Sequence, residues 1–412
     1  MCDVFFLDPD QVKQNRGDGC WLEGTGATYR SCGQWRVISR AASADNAGMH
    51  TVLIDAAPAA GSTWQQALVL NTMPQLSRSL RLAEVIQQEA LLEGAEAAWL
   101  TPAERWVCLA LGLGPQTIAA EAAITTPTRI AGAAYELAPG VERGPWGALA
   151  ALGAGTDLRG LPWGVALPAH LELGRESLSL ADPTTLLLTS EEAQALLSAV
   201  QPLTSEAGWF LDAREPACWL VAHPSLAEVV TADPARAIAR NVATWMPAGA
   251  AARPWRQLLT EIQMVWQHHP VNEARVRAGR PEANTLWLHG CGTLPADLRN
   301  PFLLLGEPPA HATAWWRAAN SGLAVLPASR RPHQLQVVQP RTTREAGSHM
   351  LKGTIEGLDQ LAADVIERAL QDHAGVRVVL AGERRWIALE LRRARRWQFW
   401  RRADAHLLLG LV

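Results

Sequence analysis

The first 48 residues carry neither a 3.6-residue nor a 2-residue apolar repeat and are dense in Gly, Ser and Asp, so they read as an extension outside the folded core. Met49 changes the pattern. It introduces His50-Thr51-Val52-Leu53-Ile54-Asp55, a β-branched apolar run ending in a carboxylate, as expected for the leading strand of a parallel α/β sheet. From Thr72 to Leu92 apolar residues recur at helical spacing, which predicts a helix. Thr101-Pro102-Ala103-Glu104 has the order of a capping box with proline in the first turn, and predicts a second helix ending in the glycines at 112 and 114. A further helix is expected near 128–137, within an Ala-, Gly-, Pro- and Thr-rich connection over 115–162.

Short apolar runs follow from Trp163, then an Asp182-Pro183 turn and a helix capped by Thr189 or Ser190 with Glu192 near its start. Two strand-like pieces, Trp209–Ala213 and Ala217–His223, flank an Arg-Glu-Pro turn, so 163–235 reads as an α+β unit. A long helix runs from Ala252 to His269 and stops at Pro270, and 283–292 is a strand followed by a glycine turn. Residues 357–375 form an amphipathic helix closed by glycine, and 376–383 a buried strand. Strands alternating with helices at both ends of this pattern give the fold class α/β, a sheet with helices on its faces.

Composition narrows the reading without naming a function. The 412 residues suit two to three domain-sized units at about 150 residues each, or one large α/β domain carrying an insertion. A chain with 48% hydrophobic and 19% charged residues is folded rather than disordered or coiled-coil. The net charge of −3 gives no global electrostatic reason to expect nucleic acid or an anionic membrane as partner. Lys13 and Lys352 are the only lysines, which leaves little room for Schiff-base chemistry. Six cysteines without a CxxC pair fit a reducing compartment. No apolar run approaches the ~18–20 residues of a membrane span and no signal-peptide pattern opens the chain, so a cytoplasmic address is expected.

Few residues stand out for chemistry. Asp55 ends the leading strand, where open α/β sheets bind ligands or metals. His268 and His269 sit at a helix end, where the dipole alone favours such cations. Cys291 lies between Gly290 and Gly292, which suits either an exposed thiol or backbone N–H groups around an anion, and no His-Asp partner marks it as a nucleophile. The Gly-rich stretch 24–28 lacks the Gly-Lys-Ser/Thr of a P-loop. The Arg/Trp-rich segment 383–402 reads as edge strands and a solvated helix, the alternative being a nucleic-acid or partner-binding face.

One stretch is specific. Residues 258–292, LLTEIQMVWQHHPVNEARVRAGRPEANTLWLHGCG, resemble the HPVN…R…G…AN-x-x-W-x-x-G-x-G signature of archaeal-type cofactor-independent phosphoglycerate mutases of the alkaline phosphatase superfamily. They are more closely similar to the bacterial RpfE-type regulatory proteins, whose preceding segment is matched by Trp163-Gly164 through Pro168, His170, Gly174 and Asp182-Pro183. The resemblance runs from Met49 to the C-terminus. It implies an alkaline-phosphatase-like, mostly parallel sheet built from 49–162 and 275–412, with an α+β subdomain inserted at 163–274.

The resemblance also implies a site of two divalent metals held by Asp and His, beside a Ser or Thr nucleophile. Carried over residue by residue, that site is degraded. Asp55 matches the Asp ending the first strand, and 73–80 the helix that comes after it. Glu345 and His349 give a distorted echo of the Asp-x-x-x-His element, and the Gly-Asp-His-(Ser/Thr)-Pro turn is replaced by Gly382-Glu383-Arg384-Arg385-Trp386. Ser62 and Thr63 are the nearby hydroxyls but fall in no matching motif. Arginine for a metal-bound histidine removes a lone pair and installs a permanent cation. At ~4 Å and an effective dielectric of ~20, that charge repels a dication by roughly 8 kcal/mol.

The expected reading is therefore a regulatory, anion- or phosphate-binding protein that keeps a remnant metal set of Asp55, Glu345, His349 and Glu383. Its candidate ligand contacts are Arg384, Asn272, Arg275, Asn284, His289, Gly290 and Gly292. The expected partner is a phosphorylated small molecule or a regulatory protein, without nucleic acid or membrane. The alternative is an active phosphomutase or phosphatase using Mn, Mg or Zn through rearranged ligands that also draw on Asp372 and His373.

Overall fold

Strand β3 (His50–Asp55) is buried at all six positions, as its unbroken apolar run requires of a strand covered on both faces. The structure is a computed structural model, and it describes residues 27–32, 35–40, 50–56, 73–91, 99–113, 144–174, 177–238, 240–247, 249–309, 312–340 and 348–392. Eight strands form the larger sheet, in the order β1 (Ala27–Cys32), β2 (Trp35–Arg40), β4 (Glu84–Leu91), β14 (Arg385–Arg392), β13 (Gly375–Ala381), β3, β12 (Ala328–Val338) and β11 (Asn300–Leu304). The four from β13 to β11 are parallel, and an antiparallel wing of β14, β4, β2 and β1 extends them.

Alternation along the strands creates two cores. Val52, Ile54, Val376, Val378 and Leu380 pack on one face against α1 (Pro74–Ser79) and α9 (Ser348–Asp372). The Asp359 carboxylate of α9 accepts from the backbone N–H groups of Gln75 and Leu76, so the unpaired start of α1 is capped by another helix. Leu53, Leu335, Val379 and Ala381 face the opposite core, with α2 (Pro102–Ala110) and α8 (Ala314–Val325).

A second, antiparallel sheet runs in the order β10 (Thr285–Gly292), β5 (Trp163–Ala169), β9 (Trp219–Ala222) and β8 (Phe210–Asp212), and a separate pair joins β6 (Leu171–Leu173) to β7 (Leu178–Leu180). One face is covered by α4 (Ser190–Glu206) and α6 (Arg253–Gln267), whose Leu196, Val200, Leu258, Ile262 and Trp266 form a third core. The other joins the core of the larger sheet through α3 (Trp146–Gly153), which lies between β5 and α8. That contact is backbone to backbone. A Cβ on Gly147 would lie 2.3 Å from the Gly164 Cα, one on Gly322 2.3 Å from the Leu149 carbonyl oxygen, and one on Gly153 2.6 Å from the Ser321 carbonyl carbon.

The expected helices at 101, 189 and 252 form, the first two with complete capping boxes, Thr101 with Glu104 and Thr189 with Glu192. The expected helix over 72–92 is instead a short α1 and then strand β4. Between β14 and β2 the backbone groups of 84–91 find ladder partners on both sides, and that pairing overrides helical spacing. Within the first 48 residues, expected as an extension outside the core, β1 and β2 pair as a hairpin and add two strands to the sheet. Strand β10, beyond the expected boundary at 274, completes the smaller sheet. The helix expected near 128–137 lies outside the described residues. Among the described residues no helix is long and apolar enough to cross a membrane.

Because a methyl at 147 meets backbone rather than a movable side chain, Gly147→Ala is expected to lower the unfolding free energy by about 3 kcal/mol or more. Gly155→Ala, with open space around it, costs only its positive-φ strain of about 1 kcal/mol. Urea unfolding of the two variants checks the difference.

Candidate anion site at the strand ends

Asp55 lies two residues beyond Leu53, on the face turned toward the smaller sheet, and its carboxylate is fully buried. Gln339, the residue after β12, donates its side-chain amide to Asp55 Oδ2 at 2.7 Å and to Thr313 Oγ1 at 2.8 Å. Its Oε1 accepts from the Thr313 backbone N–H. The strand-end carboxylate is thereby tied to the start of α8.

Two more buried carboxylates continue the network. Asp233 precedes a single helical turn, α5 (Pro234–Ala237), and accepts from the N–H of Ala235 at 2.9 Å and of Trp315 in α8 at 2.8 Å. Glu104 closes the capping box of α2 and accepts the Trp146 indole N–H at 2.7 Å, joining the starts of α2 and α3. The Trp146 and Trp315 rings lie against each other, 5.4 Å between centroids. Helix starts turn positive partial charge toward the same interior region, and this makes buried carboxylates tolerable there.

Arg236, one turn after Asp233, is buried with its guanidinium over the Trp245 ring. It donates to the backbone carbonyl of Glu383 at 3.1 Å, in the turn between β13 and β14, while Arg240 is ion-paired with the Glu383 carboxylate. Arg384, next in that turn, is exposed. Arg236 at the Glu383 carbonyl, Arg240 at its carboxylate and Arg384 next in the chain thus share the turn at the carboxyl end of β13, which opens to solvent at Arg240 and Arg384.

Burial dominates the titration of these groups. It pushes Glu104 up to about 8, aided by the Asp233 charge and opposed by the donors from Thr101 and Trp146. It pushes Asp233 to about 6 against the N–H groups of Ala235 and Trp315 and the charges of Arg317 and Arg236. Arg236 falls to about 10 through burial, against the pull of Glu383 and Glu104, and stays charged.

The expected site residues divide. Asp55, Glu383 and Arg384 lie around the ends of neighbouring strands, and the interior guanidinium comes from Arg236 of the inserted unit. Asn272 and Arg275 lie elsewhere and are used by the fold. The Asn272 amide bonds the carbonyls of Trp266 and Ala283 and the N–H of Ala283. Arg275, fully buried in α7 (Pro270–Arg277), donates to the carbonyls of Pro281 and Leu186 and pairs with Glu192 at 2.7 Å. Burial raises Glu192, but the Thr189 N–H, Arg275 and Arg280 outweigh it and hold it below the usual carboxylate range. Asn284 pins Leu171 through both its amide atoms. The HPVN segment therefore fastens α6, α7 and β10 together, a packing demand where the signature implied ligand contact.

His289 is fully buried with neither ring nitrogen hydrogen-bonded among the described residues, and burial beside Arg317 lowers it to about 3, so it is neutral. Gly290 and Gly292 sit where β10 bulges past β5. Gly290 has φ +65°, and a Cβ there would lie 2.7 Å from Trp146 Cβ. Cys291 is buried, which excludes the exposed-thiol reading. Ser62, Thr63 and Glu345 lie outside the described residues, as does the side chain of His349 in the first turn of α9.

Asp55 accepts from an amide, Glu383 faces a guanidinium, and no group of three His, Cys, Asp or Glu among the described residues is placed to hold a metal ion. Glu104, Asp233, Arg236 and Gln339 are site residues that sequence reasoning misses. The Thr101–Glu104 box and the Asp233-Pro234 helix start are legible as caps, and nothing local marks them as neighbours.

No family model matches the chain and no curated relative matches it. Among solved structures it is similar to the cofactor-independent phosphoglycerate mutase from Thermoplasma acidophilum DSM 1728, at 18% identity and TM-score 0.33, over 84% of this chain and 90% of that one. It is also similar to the PH0037 protein from Pyrococcus horikoshii, at 13% identity and TM-score 0.43, over 84% of this chain and 87% of that one.

Two outcomes test this geometry. Arg275→Met leaves Glu192 without its buried partner and two carbonyls without a donor, and is expected to cost about 3 kcal/mol in urea unfolding. Glu104 binds its proton to about pH 8 when folded and loses it in the ordinary carboxylate range when unfolded. Its contribution is therefore present at low pH and lost as pH rises toward 8. Replacing it in Glu104→Gln should make the fall in stability between pH 6.5 and 8.5 shallower by about 1 kcal/mol per pH unit, measured by denaturation at each pH.

Proposed function

We propose that this chain is an RpfE-type, phosphoglycerate-mutase-like protein that acts as a regulatory anion sensor, binding a phosphorylated small molecule where metal-dependent relatives hold ions. The observation that carries the reading is the placement of Arg236 on the Glu383 carbonyl, Arg240 on the Glu383 carboxylate and Arg384 next to it in the turn after β13. Planar guanidinium groups offer paired N–H donors that match phosphate oxygens, and arginine is a cation throughout the physiological range. A phosphate entering from the exposed side competes with Glu383 for Arg240 and finds Arg384 at the rim. The buried Arg236 holds the turn through the Glu383 carbonyl and supplies positive potential from below. The Gln339 amide, occupying the Asp55 carboxylate, fits a site that no longer needs that oxygen for a cation.

Calorimetric titration of the full chain with inorganic phosphate and with 3-phosphoglycerate, with and without manganese, tests the proposal. Binding without metal, weakened about tenfold in Arg240→Ala by loss of a charged hydrogen bond, is the expected result. Turnover of 3-phosphoglycerate that depends on manganese, magnesium or zinc would establish the catalytic alternative instead. Absence of phosphate and phosphoglycerate binding under every condition would overturn the anion reading.

A further inference from the structure

We infer that anion binding at this site draws a proton from solvent onto the buried pair Glu104 and Asp233, so that the protein senses its ligand and pH together. The inference rests on the anion reading and adds to it the stoichiometry of the bound state.

Arg236 is the cation that the buried acids share with the rim. Its charge lies in the field of Glu383, Glu104 and Asp233, opposed by Arg240 and Arg384. Facing the two buried acids are Arg236 from α5, Arg317 from α8 and Cys108 from α2, with Arg105 beside Cys108; the nearby His289 of β10 is neutral. The Glu104 oxygens accept from Thr101 and Trp146, and those of Asp233 from Ala235 and Trp315, so neither acid can turn away toward water. The fully buried Trp315 indole N–H, in the same cluster, has no hydrogen-bond partner among the described residues, which leaves an unused donor in that region.

An added dianion next to Arg236 and Arg240 makes the potential at both acids more negative. A group fixed in place can answer only by holding a proton more tightly. Burial raises both acids, and the Asp233 charge raises Glu104 further, so the proton is taken up by the two carboxyls as a unit. The proton comes from solvent, and no bond to the ligand forms or breaks. Linkage requires that affinity fall with rising pH by the number of protons taken up.

Sulfate is the probe, because it remains a dianion throughout the neutral range and contributes no proton of its own. Titration of the full chain in two buffers of different ionisation enthalpy should show uptake of roughly half a proton per sulfate at about pH 7, and affinity about tenfold weaker at about pH 8 than at about pH 6. Glu104→Gln, which removes one member of the coupled pair, should reduce the uptake. The wild-type measurement decides the question even if that variant does not fold. Sulfate bound with equal affinity across the range and equal heats in both buffers would overturn the inference while leaving the anion site standing. No binding of sulfate or phosphate at any pH would remove the site and the inference together.

Discussion

Helix α3 can touch a sheet on one side and a helix on the other only because glycine stands at each point of closest approach. Gly147 meets Gly164 of β5, Gly153 meets Ser321, and Gly322 of α8 meets Leu149, each closer than any side chain permits. Interiors packed to crystal-like density do not absorb an added methyl when both neighbours are main chain. This contact fixes the spacing between the two sheets. It also sets Trp146 at the head of α3 against Trp315 at the head of α8, and so brings the acids of two segments into one buried region.

The polar interior that results is costly unless every charge is answered. Three carboxylates, Asp55, Glu104 and Asp233, are buried around it, and the fold answers each by a different means: a side-chain amide, an indole with a capping N–H, and helix-start N–H groups. Arg236 supplies a fixed cation and links the region to Glu383 and the solvent-facing arginines. Arg240 and Arg384 lie on the solvent side of this region, and Asp55, Glu104 and Asp233 lie deepest.

Much of the framework is legible in the residues. The run ending at Asp55, the boxes at Thr101 and Thr189, and the amphipathic patterns of α6 and α9 report local or facial demands that a sequence states directly. Strand β4 carries helical spacing, and what makes it a strand is a pair of ladder partners remote in the chain. Only half of the site is legible for the same reason. Asp55 and the Glu383–Arg384 turn stand at strand ends, a place that periodicity reveals. Arg236, by contrast, looks like an ordinary arginine in a Pro-Ala-Arg-Ala turn until the tertiary structure sets it beside residue 383. Asn272, Arg275 and Asn284 hold backbone in place, and a signature motif records such a constraint without saying whether packing or ligand imposes it.

The span of chain enclosed by these contacts has a kinetic meaning. Gln339 and Asp55 are 284 residues apart, and Arg236 and Glu383 are 147 apart. Contacts that close such long loops form only after the entropy of closure has been met by docking of whole elements. The arginine cluster therefore exists only where the segment carrying Arg236 and Arg240 has docked on the turn between β13 and β14, so its integrity reports that docking.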